Sequence, residues 1–195
     1  MAWFLGKFPE KITPYDKLIR PLLPFIPLSI KPNYLTFFRL LMTPLLIVIL
    51  YFNELHTGLF LFVILALTDL FDGALARLRN QITQWGQIWD PIADKLLIGS
   101  VIIMLLSKVN LVLTILVLCF ELMFVLGAFF KKFLAHDYKI SANTFGKIKM
   151  NLQCFGAGFL ILGFLLALPL MVMFAELLFY LSIIFAFLSL LAKGI

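Results

Sequence analysis

Charge is scarce in this chain. Asp, Glu, Lys and Arg make up only 13 % of its 195 residues, where an ordinary soluble domain carries about 25 %. That leaves too little polar surface to cover a water-soluble globule, and it excludes a solvated, disordered chain as well. Cysteine is nearly absent. Cys119 and Cys154 are the only two, so no disulfide scaffold is available, and both lie in apolar runs where a free thiol packs as a small hydrophobe. Histidine is equally rare, and no Ser/His/Asp or Cys/His arrangement is present. His56 and His136 fall in loop segments and read as surface residues. Strict apolar/polar alternation is missing too, which argues against a porin-like barrel. The opening stretch, residues 1–17, has no uninterrupted apolar run and is not expected to be a cleavable signal peptide.

What is present is hydrophobic sequence in long continuous runs. Apolar residues are 63 % of the chain, roughly 120 positions, enough for six spans of about 20 residues each. Six runs can be marked: Tyr34–Phe52, Thr57–Leu78, Asp90–Ser107, Val109–Phe130, Phe145–Leu168 and Leu170–Leu191. The expected fold is all-α, a polytopic membrane bundle of six transmembrane helices. Residues 1–33 form an N-terminal segment, and residues 34–195 form one six-helix domain. Within the N-terminal segment, Tyr15–Leu28 mixes Leu18, Ile19, Leu22, Leu23, Phe25 and Ile26 with Asp16, Lys17 and Arg20. It is too short and too charged to span. Pro21, Pro24 and Pro27 break any long helix, so an amphipathic element in the membrane interface is expected.

The basic residues set an orientation. Lys7, Lys11, Lys17, Arg20 and Lys31 precede the first run, and Arg77 and Arg79 lie between the second and third. Lys131, Lys132 and Lys139 lie between the fourth and fifth, with Lys147 and Lys149 just beyond. The opposite side has Lys108, and its first loop, Asn53-Glu54-Leu55-His56, is acidic. By the positive-inside rule both termini face the cytoplasm, in the cell (inner) membrane. The net charge of +6 is scattered among spans, so it suits anionic lipid and no nucleic acid is expected as a partner.

One stretch says more than "membrane bundle". Asp69, Asp72, Asp90 and Asp94, four of the ten acidic residues, lie at or inside the ends of the second and third runs. A charge at membrane depth costs at least a few kcal/mol, so such residues are functional candidates by default. Asp69, Asp72, Gly73 and Ala76 share one helix face, and Asp90 and Asp94 share another. A short connection makes the two helices antiparallel, so the four carboxylates can converge just below the cytoplasmic surface. Four such anions repel strongly in low dielectric, and either protons or cations must relieve that. All-oxygen sets suit hard divalent ions, and a bridged pair of these serves phosphoryl transfer. Arg77, one turn past Asp72, could hold phosphate oxygens. Each residue has a plainer reading too. Asp90 before Pro91 has the form of a helix N-cap followed by proline. Gly73 could serve helix packing, and Arg77 and Arg79 could be interface anchors.

The pattern Asp69-x-x-Asp72-Gly73-x-x-Ala76-Arg77, eight residues, then Gly86-x-x-x-Asp90-x-x-x-Asp94 resembles the signature of the CDP-alcohol phosphatidyltransferases at every fixed position. Pro32-Asn33-Tyr34-Leu35-Thr36-Phe37-Phe38-Arg39 resembles that family's opening to the first span. The resemblance implies a six-span bundle, usually homodimeric, with its active site open to the cytoplasmic interface. It implies that Asp69, Asp72, Asp90 and Asp94 hold two divalent cations, Mg²⁺ or Mn²⁺, and that Asp94 is also the catalytic general base. It implies CDP contacts from Asn33, Thr36, Gly73, Arg77 and Gly86, with CDP-diacylglycerol as donor.

The acceptor is read from finer features. The run Thr83–Leu96 and the run Gly146-Lys147-Ile148-Lys149-Met150-Asn151-Leu152-Gln153 resemble those of bacterial family members that use glycerol 3-phosphate. Met150 departs from a common threonine, and the long N-terminal extension looks more like that of inositol-phosphate and archaeal members. Lys147 and Lys149, with Lys131 and Lys132 nearby, are expected to form a basic cytoplasmic rim that attracts a phosphorylated acceptor. Members that use phosphatidylglycerol share several of these features. A cation-coupled transporter would instead need carboxylates near mid-membrane and repeated halves, and no internal repeat is seen.

Overall fold

The computed structural model describes Pro21, Pro27 and residues 31–79, 81–134 and 144–193. Every described element is a helix. Six of them are long: α1 (Pro32–Tyr51), α2 (Leu55–Leu78), α3 (Gln84–Val101), α4 (Leu111–Leu134), α5 (Thr144–Leu165) and α6 (Pro169–Lys193). The amphipathic interfacial element expected over Tyr15–Leu28 falls outside the described residues, apart from Pro21 and Pro27. The Pro27 carbonyl accepts a hydrogen bond from Arg79 (3.3 Å), which brings the chain ahead of α1 against the end of α2.

Local chemistry explains the helix ends. Pro32 and Pro169 each open a helix, where a missing N–H costs nothing. Asn53 takes a left-handed φ of 62° in the turn between α1 and α2, a conformation asparagine tolerates better than most residues. Thr83 caps α3, accepting from the Gly86 amide (3.0 Å), and Asn110 caps α4, accepting from the Leu113 amide (3.0 Å). Asn110 also donates to Glu176 (3.0 Å) and to the Tyr180 hydroxyl (3.1 Å). Those two bonds tie the turn before α4 to α6.

The Thr83 cap corrects one expectation. The third helix begins at Gln84, six residues before Asp90. Asp90 is therefore not an N-cap, and Pro91 lies inside the helix. The polar residues Gln84, Gln87 and Asp90 had made those first turns look like loop. Beyond Val101 the helix widens into a π segment, Ile102–Leu106, and closes with Ser107–Val109.

The core lies along the bundle axis and draws on every helix. Leu46, Leu65, Val101, Leu105, Val117, Leu160 and Phe179 are fully buried there. α5 and α6 pack most closely, and the Phe179 ring lies against Gly156, where a Cβ would stand 3.2 Å from the ring carbons. The outward faces are apolar as well. Phe37, Leu41, Leu45 and Val48 on α1 and Met173, Leu177, Ile184 and Phe187 on α6 are exposed, as helices surrounded by hydrocarbon require. α1, α2, α5 and α6 are each long and apolar enough to cross a membrane, and α4 carries the apolar stretch Leu111–Gly127. The protein is an all-α polytopic membrane protein.

Candidate active site

The site is built where α1, α2 and α3 meet. Asp69 and Asp72 lie in the second half of α2, Asp90 lies in the second turn of α3, and Asp94 lies one turn further on. All four are within about three helical turns of the short connection between those helices. α1 supplies the residues that face them. Asn33, Thr36 and Arg39 recur every three residues and so share a face.

Arg39 stands at the centre and is fully buried. Its Nη1 lies 2.7 Å from Asp69 and also pairs with Asp94, while its Nη2 pairs with Asp72. Thr36 donates to Asp90 (2.5 Å) and stands 3.4 Å from Asp72. One guanidinium and one hydroxyl thus gather all four carboxylates. The Arg39 backbone is held as well, because Thr43 donates to its carbonyl (2.8 Å) one residue before Pro44 interrupts the ladder of α1. Asp72 is buried, whereas the Asp69 side chain is 36 % exposed. The carboxylate group therefore opens on its Asp69 side.

The expected nucleotide contacts are drawn together beside it. Thr83 donates to Asn33 Oδ1 (2.9 Å) while accepting from the Gly86 amide. Gly86 is buried against this pair, and a Cβ there would meet Thr83, Asn33 and Asp90 oxygens at 3.2–3.4 Å. At Gly73 a Cβ would lie 3.2 Å from Arg77 Nη1, so the glycine lets that guanidinium fold back along α2 toward Asp69.

The lysines separate. Lys147 is exposed at the start of α5. Lys149 is not on an open rim. It is buried, 2.5 Å from Glu121 of α4 and 4.3 Å from the centre of the Phe124 ring. The physical reason is its place in the second turn of α5, on the face packed toward α4. Lys131 and Lys132 lie in the last turns of α4, and their side chains are outside the described residues. His56 is exposed.

Arg39, Thr83, Lys95 and Glu121 join the site without having been assigned a role from spacing or motif. For Arg39 a signal existed, since it is a lone charge in an apolar run, three residues from Thr36. For Glu121 the signal was an acid in the middle of the fourth apolar run.

The donor chemistry fits a divalent metal, because four carboxylates from two helices face one another and offer only oxygen. The side-chain positions are those of carboxylates gathered on a guanidinium. Among the described residues no three acidic groups close around one point at ligand distance.

Acidic oxygen donors, a buried arginine and a second arginine, set into the ends of membrane helices, define an integral-membrane enzyme that works on a phosphate-bearing substrate. Residues 29–188 match the family model for CDP-alcohol phosphatidyltransferases, and the chain belongs to that family. It is a transferase of phospholipid synthesis, and enzymes of this family use divalent metal ions. Similar curated proteins include the CDP-diacylglycerol–glycerol-3-phosphate 3-phosphatidyltransferase of Rickettsia felis, 43 % identical over 138 residues, covering 68 % of this chain and 75 % of the relative. The enzyme of the same name from Rickettsia typhi is 41 % identical over 138 residues, covering 68 % and 76 %. That of Cereibacter sphaeroides is 38 % identical over 141 residues, covering 68 % and 63 %.

Proposed function

We propose that this protein transfers the phosphatidyl group of CDP-diacylglycerol to glycerol 3-phosphate, giving phosphatidylglycerol phosphate and CMP. The observation that carries this is the convergence of Asp69, Asp72, Asp90 and Asp94 on Arg39 and Thr36. The names of the similar proteins support the acceptor.

Asp69, Asp72, Asp90 and Asp94 would hold two divalent cations, Mg²⁺ or Mn²⁺, which supply neutralisation of the donor's pyrophosphate. Arg77, folded over Gly73, binds pyrophosphate oxygens. Asn33, Thr36 and Gly86 border the nucleotide end. Asp94 takes the proton of the acceptor's primary hydroxyl as its oxygen bonds to the phosphorus that carries diacylglycerol. The bond from that phosphorus to the bridging oxygen breaks, and CMP leaves with the electron pair. Lys147, Lys131 and Lys132 draw a phosphorylated acceptor toward the membrane surface, and Lys149, paired with Glu121, stands behind the pocket beside Asp94. The enzyme works as a homodimer in the cell membrane, with both termini and the site cytoplasmic.

CMP release from CDP-diacylglycerol with a panel of acceptors tests this reading. Glycerol 3-phosphate is expected to outperform phosphatidylglycerol, inositol phosphate and water. Chelation should abolish release, and Mg²⁺ or Mn²⁺ should restore it. A better rate with phosphatidylglycerol would overturn the acceptor, and full activity in excess chelator would overturn the metal role.

Orientation has its own test. With Cys119 and Cys154 replaced, single cysteines at Glu54 and Thr144, both exposed, should react with an impermeant thiol reagent from opposite sides. The Thr144 position should be protected in intact cells. Labelling of both from outside would overturn the proposed topology.

A further inference from the structure

A second polar group, beyond the four aspartates, lies between α3, α4 and α5. A pocket there is lined by Asp94, Lys95, Glu121 and Gln153 together with apolar residues that include Ile98 and Leu118. One lining residue, Ile102, opens the π segment Ile102–Leu106, an irregularity that recurs at functional sites.

Glu121 is the acid of this pocket, and its two oxygens differ. Oε1 is fully engaged: Lys149 Nζ lies 2.5 Å away and Gln153 donates to it at 2.9 Å. Oε2 stands 3.8 Å from Lys95 Nζ, beyond hydrogen-bond distance. A carboxylate whose only task was to neutralise Lys149 would have its role completed by Oε1. The remaining oxygen keeps its acceptor capacity next to a lysine that lines the same pocket as Asp94. The Lys149 side chain is only 5 % exposed, against 25 % for Lys95. Lys149 therefore backs Glu121, and Lys95 is the cation at the wall.

We propose that Glu121 is a specificity-determining residue of the acceptor pocket. Its Oε2 accepts a hydrogen bond from the middle hydroxyl of glycerol 3-phosphate, while Lys95 meets the phosphate and Asp94 the reacting hydroxyl. This inference rests on glycerol 3-phosphate being the acceptor. The pocket then selects a phosphorylated polyol with a hydroxyl between the phosphate and the reacting end. Oε1, by holding Lys149 and Gln153, keeps the carboxylate from rotating away.

The test compares glycerol 3-phosphate with 3-hydroxypropyl phosphate, which lacks the middle hydroxyl, at saturating CDP-diacylglycerol. The wild type should prefer glycerol 3-phosphate in kcat/KM. Glu121→Gln should reduce that preference by about tenfold or more, the scale of one lost hydrogen bond to a charged group. The loss should fall on KM for glycerol 3-phosphate, with KM for CDP-diacylglycerol changed by less than about twofold. If Glu121→Gln does not accumulate in membranes, Glu121→Asp withdraws the carboxylate by one methylene and should lower the same ratio. An unchanged ratio, or parallel loss of both acceptors, would overturn the proposal, as would a wild type indifferent to the two. A wild type that releases no CMP with glycerol 3-phosphate would overturn the acceptor reading and this inference together, and that result is visible before any variant is made.

Discussion

Asp94→Asn is expected to cut kcat by about 10²–10⁴-fold, the usual cost of losing a general base. Asp94 is the one aspartate of the four that faces both the Arg39 cluster and the pocket shared with Lys95 and Glu121. An acceptor in that pocket and a phosphate at the carboxylate cluster would meet at this side chain. A primary hydroxyl is a weak nucleophile near neutral pH and must lose its proton as it attacks. Asparagine keeps the shape of Asp94 and an oxygen that can accept from Arg39, so the helix packing is preserved. It cannot take up a proton usefully. Binding of CDP-diacylglycerol should therefore change far less than turnover. Asp69→Asn makes the contrast, because Asp69 is the more exposed carboxylate at the mouth of the cluster, and its loss should weaken metal and nucleotide binding together. The measurement is kcat for each variant beside calorimetric binding of CDP. A near-normal kcat in Asp94→Asn would place the base elsewhere.

The helices were legible because hydrocarbon imposes a length and composition that need no tertiary information. Five of the six boundaries lie within a few residues of the apolar runs. The start of α3 was the exception for a physical reason: Gln84, Gln87 and Asp90 make its first two turns polar, so they read as loop. The Thr83 cap shows where the helix begins, yet a threonine beside glutamine and tryptophan is a weak signal on its own. The convergence of the aspartates was legible from spacing, because Asp69 and Asp72 share one face and Asp90 and Asp94 another. What spacing within a helix cannot show is which third helix faces them. Arg39 and Thr36 meet the aspartates only through packing of α1 on α2 and α3. Lys149 shows the same limit. Its position near a loop suggested an open basic rim, whereas its helical phase turns it toward Glu121, 28 residues away in sequence.

Arg39→Gln is expected to destabilise the protein more than any other single change in the site. The guanidinium is wholly buried and pairs with Asp69, Asp72 and Asp94 from two other helices. Removing one partner from a buried ionic group typically costs about 3–5 kcal/mol, because the opposite charges remain without compensation. Folded domains have only about 5–15 kcal/mol in hand. For a chain of this size each kcal/mol corresponds to roughly 2–4 °C in Tm, so a fall of about 6–20 °C is expected for the purified protein in detergent. Arg39→Lys should recover only part of it, since a single ammonium lacks the planar fork that reaches several carboxylates at once. The cause is electrostatic, so two compensations follow. Pairing Arg39→Gln with Asp72→Asn should restore part of the lost stability, as the charge is removed with its countercharge. Added Mg²⁺ should raise the Tm of Arg39→Gln more than that of the wild type, because a cation then relieves the same carboxylates. A Tm for Arg39→Gln within about 2 °C of wild type, under one kcal/mol on the same scale, would show that the aspartates do not depend on Arg39. Equal Mg²⁺ responses in the two proteins would place the stabilising cation away from this cluster.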